Sequence, residues 1–213
     1  MKKGRLISFE GLDGAGKGTQ MSMLECWLEA LDVPFIHTRE PGGTPLGMEI
    51  RQLLLNRPEL AIVALAEVFL FQADRAQHFA TLVIPALHGG KLVLTDRCFD
   101  ASIAYQGFAR GVDVALIEQL SLLATQGYKP DLTILLDLDP SEVQSRTDIA
   151  QDQSGRREGR TRFDAEAEVF HQRVQEGFHT LARAYPERIK VVDASRSPED
   201  IHREITRLVE PLL

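Results

Sequence analysis

Cysteine is scarce in this chain: Cys26 and Cys98 are the only two among 213 residues, far apart and with no metal-ligand spacing around them. That scarcity argues against a disulfide framework or a zinc site and reads as two packed thiols in a reducing, cytoplasmic compartment. Long apolar runs are missing too. No stretch approaches the ~20 residues needed to cross a bilayer, so no membrane partner is expected. The start Met-Lys-Lys-Gly-Arg-Leu-Ile has too short an apolar run for a signal peptide. Positive charge is in deficit, with 24 Lys and Arg against 31 Asp and Glu and a formal net charge of −7. Binding nucleic acid over a broad surface needs a basic face, so no nucleic-acid partner is expected. Small anionic ligands must then be gripped by local arginine clusters.

The residues that are present, 44% hydrophobic and 26% charged, suit a globular protein, and the length suits one domain spanning 1–213. Short apolar runs at Leu6–Phe9, Val33–Thr38, Leu92–Thr95, Leu132–Asp137 and Ile189–Val192 alternate with helical patterns. This alternation predicts an α/β fold: a five-stranded parallel sheet with helices on both faces. Asp139-Pro140-Ser141-Glu142 and Ser197-Pro198-Glu199-Asp200 each place a capping residue before a proline and first-turn acids, which marks two helix starts. Leu60 to about Leu87 reads as one long helix ending between Pro85 and Gly90.

Directly after the first strand, Gly11-Leu12-Asp13-Gly14-Ala15-Gly16-Lys17-Gly18-Thr19 contains the phosphate-binding spacing Gly-x4-Gly-Lys. The glycines let the backbone turn tightly and aim N–H groups at phosphate oxygens, while Lys17 supplies a point charge for the outer phosphates. A helix from Gly18 to about Leu31 adds its positive end. The pattern predicts a nucleoside triphosphate site. Gly18 stands where the motif usually has a magnesium-binding Ser or Thr, with Thr19 one place later.

Ligands of open parallel sheets bind beyond the carboxyl ends of the strands, so polar clusters there take priority. Arg39-Glu40-Pro41-Gly42-Gly43-Thr44 follows the second strand, and Asp96-Arg97 follows the third. Phe71 and Arg75 share one face of the long helix. The polar stretch Asp148–Thr161, with Arg156, Arg157 and Arg160 and Arg162 just beyond, is either a solvated loop or a lid bringing positive charge to a phosphoryl-transfer site. Taken singly, each has a bland reading: Phe71 as core, Ser102 and Tyr105 as helix packing, Arg39–Glu40 as a surface bridge, His78 as structural or solvated.

Together these segments resemble the thymidylate kinases, the bacterial ones in particular. The phosphate loop, residues 39–44, Phe71-x-x-Asp74-Arg75-Ala76-Gln77-His78 and Asp96-Arg97-x-x-x-Ala101-Ser102-x-Ala104-Tyr105-Gln106-Gly107 occur in that family's order and spacing over nearly the whole chain. The resemblance implies a P-loop NTPase fold with an arginine-rich lid at about 148–162, ATP and dTMP as substrates, Mg2+ as cofactor, and a homodimer. It implies that Phe71 stacks on thymine, that Arg75 and Arg97 hold the acceptor's 5′-phosphate with Arg51 nearby, and that Asp13 reaches the 3′-hydroxyl or the acceptor-side phosphates. Ser102 and Gln106 face the base, and Tyr105 packs against the sugar. Gly14 leaves the phosphate loop without an arginine, so the lid supplies the catalytic one: Arg162 is the best match, with Arg156, Arg157 and Arg160 as candidates. Lys17, Arg97, Arg162 and Asp13 form the implied catalytic set, and Asp96 holds the metal through water. Cys98 departs from the family, replacing a common aromatic.

The reaction so implied moves the γ-phosphoryl of ATP to dTMP. A phosphate monoester, with a second pKa near ~6, is already a nucleophile at neutral pH and needs no general base. Two rivals stay open at this stage. One is a kinase for another monophosphate or for a deoxynucleoside, the latter needing a base such as Glu10 or Asp96. The other is a nucleotide-switched binding module.

Overall fold

The computed structural model describes residues 4–139, 141, 142, 163, 166 and 168–213. The strands are β1 (Arg5–Glu10), β2 (Phe35–Arg39), β3 (Leu92–Asp96), β4 (Leu132–Asp137) and β5 (Ile189–Asp193), joined in one parallel sheet of order β2-β3-β1-β4-β5. The helices are α1 (Lys17–Ala30), α2 (Pro45–Asn56), α3 (Ala64–His78), α4 (Ile84–His88), α5 (Phe99–Ser102), α6 (Val114–Ala124), α7 (Glu168–Ala184) and α8 (Pro198–Val209). No helix among the described residues is long and apolar enough to cross a membrane.

Alternation along the strands builds a separate core on each face of the sheet. Ile7, Phe9, Leu94, Ile134 and Val192 pack with Met21, Leu24 and Leu28 of α1 and Ile201 and Ile205 of α8. Leu6, Val93, Leu135 and Ile189 point the other way, into a cluster with Val68, Ile103, Ile117, Val174 and Phe178. That second face also carries a polar stripe in the central strands. Ser8 Oγ lies 3.1 Å from Thr133 Oγ1, which donates to Asp100 Oδ2 at 3.0 Å, and Arg188 grips both oxygens of Asp100 at 2.5 and 2.8 Å. The stripe lies beneath α5 and so supports the segment that follows Arg97.

The expected long helix is broken up. Pro58–Leu60 forms a separate 3-10 turn ended by Ala61 in the left-handed region, so α3 starts at Ala64 rather than Leu60. The helical run ends at His88, between Pro85 and Gly90 as expected, with Pro85 inside its last stretch. A proline lacks an N–H and clashes with the carbonyl four residues back, and the chain accommodates it with a wide π-helical turn at Phe79–Val83. β2 begins at Phe35 rather than Val33; Pro34 has no N–H to give the ladder and only accepts, from Leu92 N at 2.9 Å. At the last helix start Ser197 Oγ accepts from Asp200 N at 3.2 Å, as its sequence pattern anticipates. At the other, Asp139 Oδ1 accepts from Ser141 N at 2.9 Å, and most of the helix expected there lies outside the described residues. So do the segment 148–162 and Arg156, Arg157, Arg160 and Arg162.

Candidate active site

The phosphate loop turns from β1 into α1 beyond the carboxyl edge of the sheet. Gly11 has a φ of 131°, and a Cβ on it would stand 2.4 Å from the Leu136 carbonyl oxygen, so only glycine fits. Lys17 is buried; its Nζ donates to the carbonyls of Leu12 at 3.0 Å and Gly11 at 3.3 Å and lies 3.7 Å from Asp13. Burial, and then the charge of Arg97, pull the Lys17 pKa below its ordinary value. A Cβ at Gly18 would meet nothing within 4 Å. The hydroxyl usual at that place is therefore absent by sequence and not through crowding.

Arg97 links this loop to the opposite wall. It follows β3 with a φ of 70°, a strained conformation for a side-chain-bearing residue, and its N–H bonds across to Phe9 O at 2.9 Å. Its Nη2 donates to Asp13 Oδ1 at 2.8 Å and to the Tyr105 hydroxyl at 3.2 Å, and the guanidinium lies 5.0 Å from the Tyr105 ring centre. Its Nη1 is buried with no partner among the described residues, as is Asp96 Oδ1. Buried polar atoms left unpaired are costly, about 1–3 kcal/mol each, and two of them beside a phosphate loop mark where a ligand or water completes the site. Desolvation works against ionisation of Asp13, but the charges of Arg97 and Lys17 outweigh it and hold the carboxyl well below the usual range.

The wall opposite the phosphate loop is a buried polar network. Glu40 has turned inward: it accepts from Arg75 Nε at 2.8 Å and lies 3.0 Å from His78 Nδ1, whose Nε2 is 2.7 Å from Thr38 Oγ1. The expected Arg39–Glu40 surface bridge is thus replaced by a bridge to Arg75 in the interior, because the turn after β2 folds Glu40 under α3. Arg75 is 1% exposed, and its donors reach Glu40, Gln72, Ser121 and Ser102, the last at 3.0 Å. Arg75 therefore differs from Arg97: four of its five N–H donors bond within the protein, one of them to Ser102. Asp74 Oδ1 accepts from Gly42 N at 3.0 Å, and burial and the Glu40 charge raise its pKa to about 6. A Cβ at Gly43 would stand 2.5 Å from the His78 ring, so α3 clamps the turn closely. Arg51 Nη1 donates to Pro41 O at 2.9 Å from the outer side of the same turn.

Phe71 is half-buried at the rim of the core, its ring 6.4 Å from that of Phe163, which in turn lies 5.7 Å from Tyr105. Gln106 is buried and donates from Nε2 to Glu67 Oε1 at 2.7 Å. The structure thus sets Arg97, Ser102, Tyr105 and Gln106 on one segment, residues 97–109, facing α3. Sequence reasoning overlooked Glu67, Glu40 as an interior group, and Phe163. A lone acid one helical turn before Phe71 in an otherwise apolar stretch was the available signal for Glu67.

Glu10, at the end of β1, accepts from Cys98 N at 2.7 Å, and burial and then Asp100 push its pKa to about 8. At neutral pH it is mostly protonated, which counts against its use as the base a nucleoside acceptor needs. For a divalent ion, no group of three His, Cys, Asp or Glu ligands exists among the described residues. The donor set of Asp96 with a partnerless buried oxygen, beside a helix start lacking a hydroxyl, fits an ion brought by the nucleotide's phosphates and touched through water.

The family model for thymidylate kinase matches residues 9–205. Among curated relatives, the thymidylate kinase of Cyanothece sp. is 45% identical over 99% of this chain and 95% of its own. That of Leifsonia xyli subsp. xyli is 48% identical over 96% and 93%. The crystal structure of thymidylate kinase from Ehrlichia chaffeensis superposes with a TM-score of 0.76 at 32% identity, covering 98% of this chain and 99% of that one. The chain belongs to the thymidylate kinase family, whose reaction is the ATP-dependent phosphorylation of dTMP to dTDP.

Proposed function

We propose that the whole chain acts as a single P-loop kinase domain in which Lys17, Arg97, Asp13 and a lid arginine carry this reaction by direct, charge-stabilised transfer. The observation that carries this reading is Arg97, which spans Asp13 of the phosphate loop and Tyr105 of the acceptor wall while keeping Nη1 unpaired. A dianionic acceptor needs no proton removed, so the protein's work is to align two mutually repelling anions and offset the charge on the transferring group. Residues 11–19 hold ATP, with Lys17 released from the loop carbonyls to the outer phosphates. Arg97 and Arg51 take the acceptor's phosphate. Phe71 stacks on thymine, Ser102 and Gln106 face its edge, and Tyr105 lines the sugar; Arg75 acts from behind, through Ser102. Mg2+ supplies charge neutralisation when bound, and Asp96 holds its water. Among the lid candidates Arg162 is the first choice, because Phe163 beside it packs against Tyr105 of the acceptor wall.

The homodimer is supported by a bare apolar surface on two adjacent helices, α3 and α6: Leu65 and Phe69 on one, Leu116 and Leu123 on the other, the last 77% exposed. A cytoplasmic setting agrees with free Cys26 and Cys98. The test of the activity is ADP formation with ATP and Mg2+ across dTMP, dUMP, thymidine, dCMP, AMP and no acceptor, with products weighed. Turnover led by dTMP with dTDP as product is expected. Equal hydrolysis with and without dTMP, and no dTDP, would overturn it.

A further inference from the structure

Glu67 lies on α3 one helical turn before Phe71 and is fully buried. Its Oε1 accepts from Gln106 Nε2 at 2.7 Å, and Arg110 Nε stands 3.7 Å from the same oxygen. Arg110 is itself fixed: its Nη2 donates to Glu166 at 2.5 Å, and its guanidinium lies 4.6 Å from the centre of the Phe170 ring. A carboxylate facing a guanidinium accepts hydrogen bonds and gives none. Gln106 must therefore turn its amide nitrogen toward Glu67 and its carbonyl away. That carbonyl oxygen, Oε1, is buried and has no partner among the described residues. Left so, it bears the desolvation penalty of a buried acceptor without a donor, which a ligand's donor removes.

We propose that Glu67 is a positioning residue: it locks Gln106 with its carbonyl oxygen toward the acceptor base, so that the site takes a base with an N–H at its ring edge and refuses one with a lone pair there. The imide N3–H of thymine satisfies this oxygen. Cytosine places a ring nitrogen lone pair at the same position, setting two acceptors face to face. An amide free to turn over would serve both bases, offering oxygen to the imide and N–H to cytosine. Discrimination between dTMP and dCMP is thus set one step behind the residue that touches the base. The inference rests on the reading that Gln106 faces the base.

The test compares kcat/KM for dTMP and dCMP, with each nucleotide's Kd by calorimetry, in the wild type and in Glu67→Gln, Glu67→Asp and Gln106→Leu. Glutamine at 67 can donate or accept, so Gln106 gains its second orientation. The dTMP-to-dCMP ratio is expected to narrow on the order of tenfold to a hundredfold, mainly through KM, given what one misplaced buried hydrogen bond is worth. Aspartate only accepts and should retain the ratio even if it weakens both substrates. Gln106→Leu should collapse the ratio whatever Glu67 does. A wild-type ratio in Glu67→Gln alongside a collapsed ratio in Gln106→Leu overturns the role of Glu67 and leaves the base-site reading standing. A wild-type ratio in Gln106→Leu overturns the base-site reading itself. Should Glu67→Gln not fold, a crystal structure of the wild-type dCMP complex decides: the Gln106–Glu67 bond is expected to persist, and an amide turned over with its nitrogen on cytosine overturns the proposal.

Discussion

The two halves of the site are built in different ways. The donor half is one continuous stretch, residues 11–19, whose grip comes from backbone geometry and a single buried lysine. The acceptor half draws on the turn after β2, on α2, on α3 and on the segment after β3, and consists of side chains that hold one another. A triphosphate presents the same oxygens whatever its base, so backbone N–H groups in a fixed local turn are enough to bind it. A base edge must be told from similar edges, and that needs buried side chains fixed in orientation, each with its partners provided. Arg97 stands at the junction, bonded to Asp13 on one side and Tyr105 on the other.

Substitutions that strike one half and spare the other test this division. The largest effect is expected from Arg162→Ala: if it supplies the transition-state charge, kcat falls about 10³-fold with little change in KM for either substrate. A wild-type rate would move the role to Arg156, Arg157 or Arg160. Next comes Arg75→Ala, which leaves the buried Glu40 without its guanidinium and with only the His78 ring beside it. The expected loss is about 3–5 kcal/mol of stability, read by denaturant unfolding, together with weaker dTMP use and unchanged ATP binding. A variant as stable as the wild type would mean that Glu40 finds another partner. Phe71→Ala should cost about 1–3 kcal/mol of acceptor binding by loss of stacking, seen as a raised KM for dTMP with KM for ATP unmoved. Equal rises in both constants would place Phe71 in the core and not in the base site.

The last prediction concerns pH. Glu10 has an ordinary pKa of 4.5 when unfolded and about 8 when folded, so between these values the folded chain binds more protons than the unfolded one. Its contribution to stability is therefore present below pH 4.5 and is lost as pH rises toward 8. Glu10→Gln should flatten that part of the stability profile. Superimposable profiles of variant and wild type across pH 5 to 8 would show that Glu10 does not hold its proton.

Much of the fold was legible along the chain. The central strands β1, β3 and β4 are buried along nearly their whole length and read as mainly apolar runs, while the edge strands β2 and β5 carry exposed positions such as His37 and Val191 and were legible as short apolar-rich segments between helical patterns. The phosphate loop was legible for a related reason: its geometry is set by neighbours in sequence, and glycine and lysine at fixed spacing leave little else to choose. The end of the helical run near Pro85 was legible, but the π-helical turn before it was not, since how a proline is absorbed depends on what packs around the carbonyl it displaces. The acceptor wall was half legible. Phe71, Ser102, Tyr105 and Gln106 could be picked out, but their partners could not.

The sequence by itself determined a parallel α/β sheet, a nucleotide loop and the family, all of which rest on local spacing and on the order of motifs. Only the tertiary structure decided that Glu40 points inward to Arg75 and His78, that Arg75 bonds to four groups inside the protein while Arg97 Nη1 has no partner among the described residues, and that Gln106 turns its nitrogen to Glu67 and its oxygen away. Each of these is a choice between partners distant in sequence. Such a choice is made by burial, which penalises every polar atom left without a mate and so selects one arrangement among several that the chain alone would permit.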